Sequence, residues 1–320
     1  MHNGTVFLPA PISRDYHPSD WSSLFAETLA ETFNWKLISG HKLNIDAVEG
    51  DILFTIKAPQ CGFIDVLGDI GRVPKHIKVI NYLQDIRGDA YYFKRMEQIL
   101  KRSDLILYSY KQSFENGWPQ YTKKGLYFPI FVSPSDRFFS LGSHVQLKKC
   151  LVIGATDPTW YPLRHKATTL SKDLVTVVPH PGYQTSVKTL QKDNRFVGAN
   201  RYAELMNQHI CCVTSTLHNI KEKCTYHWVV LKLFEIMAAG SVLVSNWCEE
   251  MAELGFKDGV NFVSANVDNL EEKVGDIVSH PLKYEQISKN GRALAKSHHT
   301  VANRIESLKE ILEGIGYRSS

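Results

Sequence analysis

Two charged residues draw attention because apolar neighbours surround them. In the run "HWVVLKLFEIMAAGSVLVSNWCEEM", from His227 to Met251, Lys232 and Glu235 lie three positions apart. On a helix that spacing puts both on one face. The pattern predicts a helix from about Trp228 to Ala239, with Gly240 as a left-handed C-cap and the strand "SVLVSN" directly after it. Val229, Leu233, Ile236 and Met237 would form its buried stripe. A Lys/Glu pair at this spacing can be a surface ion pair of little energetic weight. A helix that is apolar nearly all round argues instead for a semi-buried pair, and charges held there ordinarily have a partner or a ligand.

Other candidates sit where apolar runs end. In "LVIGATDPTWYPLRHKATTL" a strand leads into a Gly-containing turn and a helix. Gly154, Ala155 and Thr156 can bring backbone N–H groups close to an anion beside a helix N-terminus, with Arg164 in that helix's first turn. An ordinary β-α turn with a surface arginine is the other reading. The segment is not G-x-G-x-x-G, which disfavours dehydrogenase-type dinucleotide binding. His180 and Gly182 in "VVPHPGYQT" follow a strand, and Pro181 breaks the chain there, either as a ligand-facing loop or as a plain turn. Thr214 and Ser215 end the strand in "CCVTSTLHNIKEK" and could contact a base, ribose or phosphate, although hydroxyls are also common in ordinary loops. Asp85 and Arg87 follow the strand in "VINYLQDIRGDAYY". Asp85 could act as a general base or simply cap a turn.

The elements that must position these residues alternate. Short apolar runs and longer helical patterns follow one another almost from end to end, which predicts β-α units and parallel sheets. Strands are expected at Val6–Ala10, Lys36–Ser39, Asp51–Ile56, Lys78–Leu83, Asp104–Ser109 and Phe128–Phe131, and in the second half at "CLVIGA", "LVTVVPH", "ICCVTST", "SVLVSN" and "NFVSA". "SDWSSLFAETLAETF" reads as a helix capped by Ser19 or Asp20. The polar stretch "SPSDRFFSLGSHVQLKK" lacks a clear period and marks a boundary. The expected organisation is a Rossmann-like domain over 1–145 and a second over 146–320. Their parallel sheets would face a central cleft, because open parallel sheets bind ligands at the C-terminal edges of their strands.

Composition bounds the function classes. At 320 residues, with 43% hydrophobic and 22% charged, the chain is an ordinary globular one with room for two cores. A net charge of +4 suits an anionic ligand but is too small to argue for nucleic acid. Lys148 and Lys149 read as a solvated linker. The six cysteines form no C-x-x-C pair, so buried reduced thiols are expected rather than zinc ligands. Reduced thiols fit a cytoplasmic setting. The N-terminus does not read as a signal peptide, and no apolar run reaches the ~18 residues of a spanning helix.

"KLFEIMAAGSVLVSN" resembles the signature of the C-terminal domain of GT-B-fold glycosyltransferases, in which a basic residue precedes "fE" and "A-x-G" leads into a short strand. "ELGFKDGVNFVSANVDNLEEKV" and "GRALAKSHHTVANRIESLKEIL" resemble the segments that follow it. The resemblance runs from about Cys150 to Leu312 and is nearest to group-1-type domains, including spore-maturation glycosyltransferase-like proteins. It implies that Glu235 binds ribose hydroxyls and that Lys232 offsets diphosphate charge. It also turns Arg164, His180 and Gly182 toward the cleft, and with the residue readings above the donor-binding candidates are Gly154, Thr156, Arg164, His180, Gly182, Thr214 and Ser215. Many retaining members carry Glu-x7-Glu. The position eight before Glu235 is His227, which departs from that motif and leaves the stereochemistry open. His227 could contact a sugar hydroxyl or phosphate, or pack structurally beside Trp228. The first half resembles the family's acceptor domains in element order, with Asp85 as base. The implied reaction is metal-independent transfer from a UDP- or GDP-sugar co-substrate, with no further cofactor, to a glycan, protein or small-molecule hydroxyl. A non-catalytic nucleotide-sugar- or glycan-binding module and a nucleotide-sugar epimerase are the alternatives.

Overall fold

The computed structural model describes residues 4–9, 17–56, 70–84, 90–133, 135–142, 147–180, 196–219 and 226–317. The chain packs as two compact units, residues 1–133 with 301–320, and residues 134–300.

The first unit contains β1 (Gly4–Pro9), α1 (His17–Phe33), β2 (Lys36–Gly40), β3 (Ile52–Ile56), β4 (Lys78–Leu83), α2 (Ala90–Arg102), β5 (Leu105–Tyr108), α3 (Lys111–Gly117) and β6 (Gly125–Tyr127). All neighbouring strands pair in parallel, in the order β2-β1-β3-β4-β5-β6. Every residue of β1, β3 and β5 is buried, as a parallel sheet covered on both faces requires, and this is why these runs are apolar without alternation.

The last expected strand of this half falls elsewhere. β6 ends at Tyr127, and Phe128, Ile130 and Phe131 are buried but outside the sheet. Phe128 and Phe131 instead pack against Phe25 and Tyr82. The carbonyls of Pro129 and Ile130 accept from the Arg304 guanidinium at 2.9 and 3.3 Å, in place of a neighbouring strand.

The second unit holds α4 (Ser135–Phe139), β7 (Leu147–Ile153), α5 (Pro162–Thr168), β8 (Val175–Val178), α6 (Ala199–Gln208), β9 (His209–Val213), β10 (Leu217–Asn219), β11 (Tyr226–Trp228), α7 (Leu231–Ala238), β12 (Val242–Ser245), α8 (Glu249–Glu253), β13 (Val263–Ser264), α9 (Leu270–Ser279) and α10 (Pro281–His298). Its main sheet is parallel in the order β13-β12-β9-β7-β8, and β10 and β11 form a separate antiparallel pair. Lys148 and Lys149 belong to β7 rather than to a linker, with Lys149 Nζ donating to the Lys172 carbonyl at 2.8 Å.

The helix expected from Trp228 begins at Leu231, because Trp228 closes β11 and the Val229 amide donates to Glu250 Oε2 at 3.4 Å. Gly240 takes a φ of 81°, the left-handed cap expected of it. The long helical pattern near the C-terminus breaks at His299. That ring is buried, bonds the Leu254 carbonyl at 2.9 Å and packs on Phe234. α11 (Val301–Gly314) then belongs to the first unit, with Ile305, Leu308 and Leu312 buried. The units thus divide at 133 and 300, whereas the sequence placed a single boundary at 145. Periodicity shows that a helix has an apolar face but not which core receives it. Among the described residues no helix is long and apolar enough to cross a membrane.

Candidate functional site

Arg164, Lys232 and Glu235 of the second unit meet where β7 ends. β7 delivers its chain to Gly154, whose φ of 100° lies in the left-handed region. A Cβ built there would overlap the Lys232 ammonium and lie 2.9 Å from Arg164 Nη1. The backbone angle favours glycine, and any side chain here would also have to displace the two cations.

Lys232 reaches this point from α7. Its Nζ donates to the Ile153 carbonyl at 2.7 Å and lies 5.1 Å from the centroid of the Tyr202 ring. The residue keeps some solvent exposure, but its ammonium is walled in by that carbonyl, the ring and Arg164. Burial first, and the Arg164 charge second, push its pKa down to about 7, against opposing pulls from Glu235 and Cys212. The semi-buried pair expected from the helix is present, but Lys232 bonds a carbonyl rather than its neighbour three positions on. Glu235 is 1% exposed and accepts from the Tyr202 hydroxyl at 2.9 Å. Burial, then the charge of Glu235, raises the Tyr202 phenol well above its ordinary value.

Arg164 enters from α5. Pro162 opens that helix, where a missing N–H costs nothing. Two residues on, the Arg164 amide donates to Ser215 Oγ at 3.0 Å. Ser215 thus fixes the start of α5, and with it the Arg164 side chain. Arg164 is buried, not the surface residue of the plainer reading, and its guanidinium carbon sits 3.6 Å from the centroid of the Tyr161 ring.

The remaining candidates fall around this cluster or outside it. Thr214 is fully buried after β9, its amide donating to the Val244 carbonyl. Beside it the Thr216 amide donates to Asn246 Oδ1 at 3.0 Å, and Asn246 Nδ2 donates back to the Thr216 hydroxyl at 2.5 Å. The Thr156 carbonyl accepts from His165 Nδ1 at 3.2 Å. His180 stands two residues past β8 and is half-buried. His227 lies on β11 in register with His218, and its side chain is outside the described residues. Asp85, Arg87 and Gly182 also lie outside the described residues. Gly154, Arg164, Ser215, Lys232 and Glu235 are therefore brought together. Tyr161, Tyr202 and Asn246 join them without having been singled out from the sequence. Tyr161, three residues from Arg164, and Asn246, the last residue of the "SVLVSN" strand segment, stood near enough to the motifs to be noticed, whereas Tyr202 did not.

Residues 162–310 match a protein-family model described as glycosyl transferase-like, a span that begins at the start of α5 and takes in the Lys232–Glu235 helix. No curated protein matches by sequence. Among solved structures, Anabaena Alr3699/HepE in complex with UDP superposes with a TM-score of 0.60 at 15% identity, over 97% of this chain and 99% of that one. Sucrose-phosphate synthase from Thermosynechococcus elongatus gives 0.63 at 11% identity, over 97% and 98%. AviGT4, a glycosyltransferase involved in avilamycin A biosynthesis, gives 0.63 at 11% identity, over 98% of each chain. At these identities the likeness is one of fold: two Rossmann-like α/β units, the GT-B arrangement of elements. The domain matched over 162–310 adds the class of enzyme, a glycosyltransferase.

Proposed function

We propose that this glycosyltransferase of GT-B fold moves a sugar from a UDP- or GDP-activated donor to a hydroxyl acceptor without a metal ion. The observation that carries the reading is the convergence of the Lys232 and Arg164 cations at Gly154, with Glu235 buried on the same helix face as Lys232. Open parallel sheets bind ligands at the C-terminal ends of their strands, and this cluster sits at the end of β7. The UDP bound by the Anabaena relative supports UDP as the first nucleotide to test.

In this reading the Glu235 carboxylate accepts from ribose hydroxyls, with Tyr202 holding one of its oxygens. Lys232 and Arg164 face the diphosphate. An acceptor oxygen forms a bond to the anomeric carbon, the bond from that carbon to the diphosphate oxygen breaks, and the acceptor proton passes to a base assigned to Asp85. The negative charge that develops on the leaving diphosphate falls to the two cations, already in place before the reaction. Thr214 and His180 complete the donor side in this assignment, and His227 stands where many retaining members carry glutamate. That substitution leaves the stereochemistry of transfer open, and a module that binds the donor without transfer stands as the second reading.

Alanine at Glu235 tests the donor site. It is expected to weaken UDP or GDP binding by at least tenfold in calorimetry while the fold is retained, and undiminished affinity overturns the assignment. Transfer or hydrolysis of a UDP- or GDP-sugar by the wild-type protein separates the enzyme from the binding module.

A further inference from the structure

Each cation of the cluster lies over an aromatic face. Arg164 covers Tyr161 at 3.6 Å, and Lys232 covers Tyr202 at 5.1 Å. Tyr202 does more than line the site. Its ring faces the Lys232 ammonium while its hydroxyl donates to Glu235 Oε2 at 2.9 Å. One side chain from α6 therefore touches both functional groups of α7. A buried ammonium and a buried carboxylate three residues apart would otherwise be drawn together as an ion pair. The phenol supplies the carboxylate with a donor, and the ring supplies the ammonium with an electron-rich face that carries no net charge. Lys232 also bonds the Ile153 carbonyl, which carries no net charge, and Arg164 lies beside it.

The geometry points to Tyr202 as the positioning residue of the donor site: it holds Lys232 and Glu235 apart, so that the carboxylate does not neutralise the ammonium, which is left to an anionic diphosphate, and the carboxylate keeps its orientation for hydroxyl groups. This rests on the donor-site reading above. It assigns to Tyr202 no contact with the reacting atoms.

The test compares the wild type with Tyr202→Phe and Tyr202→Leu in calorimetric titrations with UDP and GDP between pH 6 and 8. Tyr202→Phe keeps the ring and loses the bond to Glu235, so affinity is expected to fall by about tenfold with the pH dependence of binding unchanged. Tyr202→Leu removes the ring as well and lets the ammonium and the carboxylate pair, so the midpoint of that pH dependence is expected to move to higher pH. A residue with a merely structural role would lower the melting temperature and leave affinity and midpoint as they are. That result, in variants that fold, overturns the proposal. A wild type that binds neither UDP nor GDP overturns the donor reading instead. The positioning role is then read from the Lys232 titration itself, by NMR of lysine-labelled protein. A midpoint displaced in Tyr202→Leu but not in Tyr202→Phe supports it, and one unmoved in Tyr202→Leu overturns it.

Discussion

A lysine held at a pKa of about 7 is costly to the protein that folds around it. Between that value and its ordinary 10.5, the unfolded chain carries the proton and the folded one does not. Stability contributed by Lys232 therefore rises with pH across this window, and below it the folded state carries a buried charge at a cost on the order of a few kcal/mol. Lys232→Met should accordingly raise the melting temperature of the ligand-free protein at pH 6. The same variant should weaken UDP or GDP binding by at least tenfold. In the wild type, affinity should fall as pH rises through about 7, because the ammonium is lost. The groups facing Lys232 are Arg164, Glu235, Tyr202 and Cys212. Arg164 stays charged, and burial holds the protons on the Tyr202 phenol and the Cys212 thiol. Loss of the pH step in Lys232→Met assigns it to this residue, whereas persistence of the step refutes the assignment. A position that destabilises the ligand-free fold and serves the ligand is the trade expected of a functional site.

Helix ends show how the chain settles its own carbonyls. The C-terminus of α2 is closed by Lys124 from the turn before β6, whose ammonium donates to the carbonyls of Leu100 at 2.6 Å, Lys101 at 3.3 Å and Ser103 at 2.5 Å. A cation there also opposes the negative end of the helix dipole. Next to it the Arg102 guanidinium donates to the carbonyls of Pro74 at 2.9 Å and Ile77 at 2.8 Å. Lys124→Met keeps the stem and removes the three bonds. It is expected to cost about 1–2 kcal/mol in urea unfolding, with no change in nucleotide affinity. A stability loss below the error of the measurement would show that water replaces the lysine. α7 follows the simpler rule, with Gly240 at its end, and that cap was visible in the sequence because a left-handed glycine is a local requirement. The Lys124 cap was not visible, because more than twenty residues separate the cation from the carbonyls it meets.

At the scale of the whole molecule, the chain leaves the first unit after Ser133 and re-enters it at Val301. α11 contributes Ile305, Leu308 and Leu312 to that unit's interior, and Arg304 to the carbonyls of Pro129 and Ile130. A chain ended at Thr300 would expose those apolar faces and leave two carbonyls without their donor. Hydrogen exchange should then show lost protection in β4 and α1 of the first unit, while β7 and β9 of the second keep theirs. Equal protection in both units would mean that α11 is dispensable to the first core.

The alternation of apolar runs and helical patterns determined the fold class, because a strand buried on both faces must be apolar throughout and a crossover helix must have one apolar side. The same local logic exposed Lys232 and Glu235: two charges on one turn of an otherwise apolar helix are conspicuous without any knowledge of their neighbours. Gly154 and Arg164 could be named from their place after a strand, but not the ammonium that arrives from seventy-eight residues downstream to fill the space beside the glycine. Tyr202, thirty-three residues before Glu235, became part of the site only when α6 and α7 packed together. What folding alone decided was partnership: which carbonyl, ring or carboxylate each buried polar group meets. Sequence spacing governs contacts within a helix or strand, whereas contacts between elements depend on how their faces pack, and no local pattern records that.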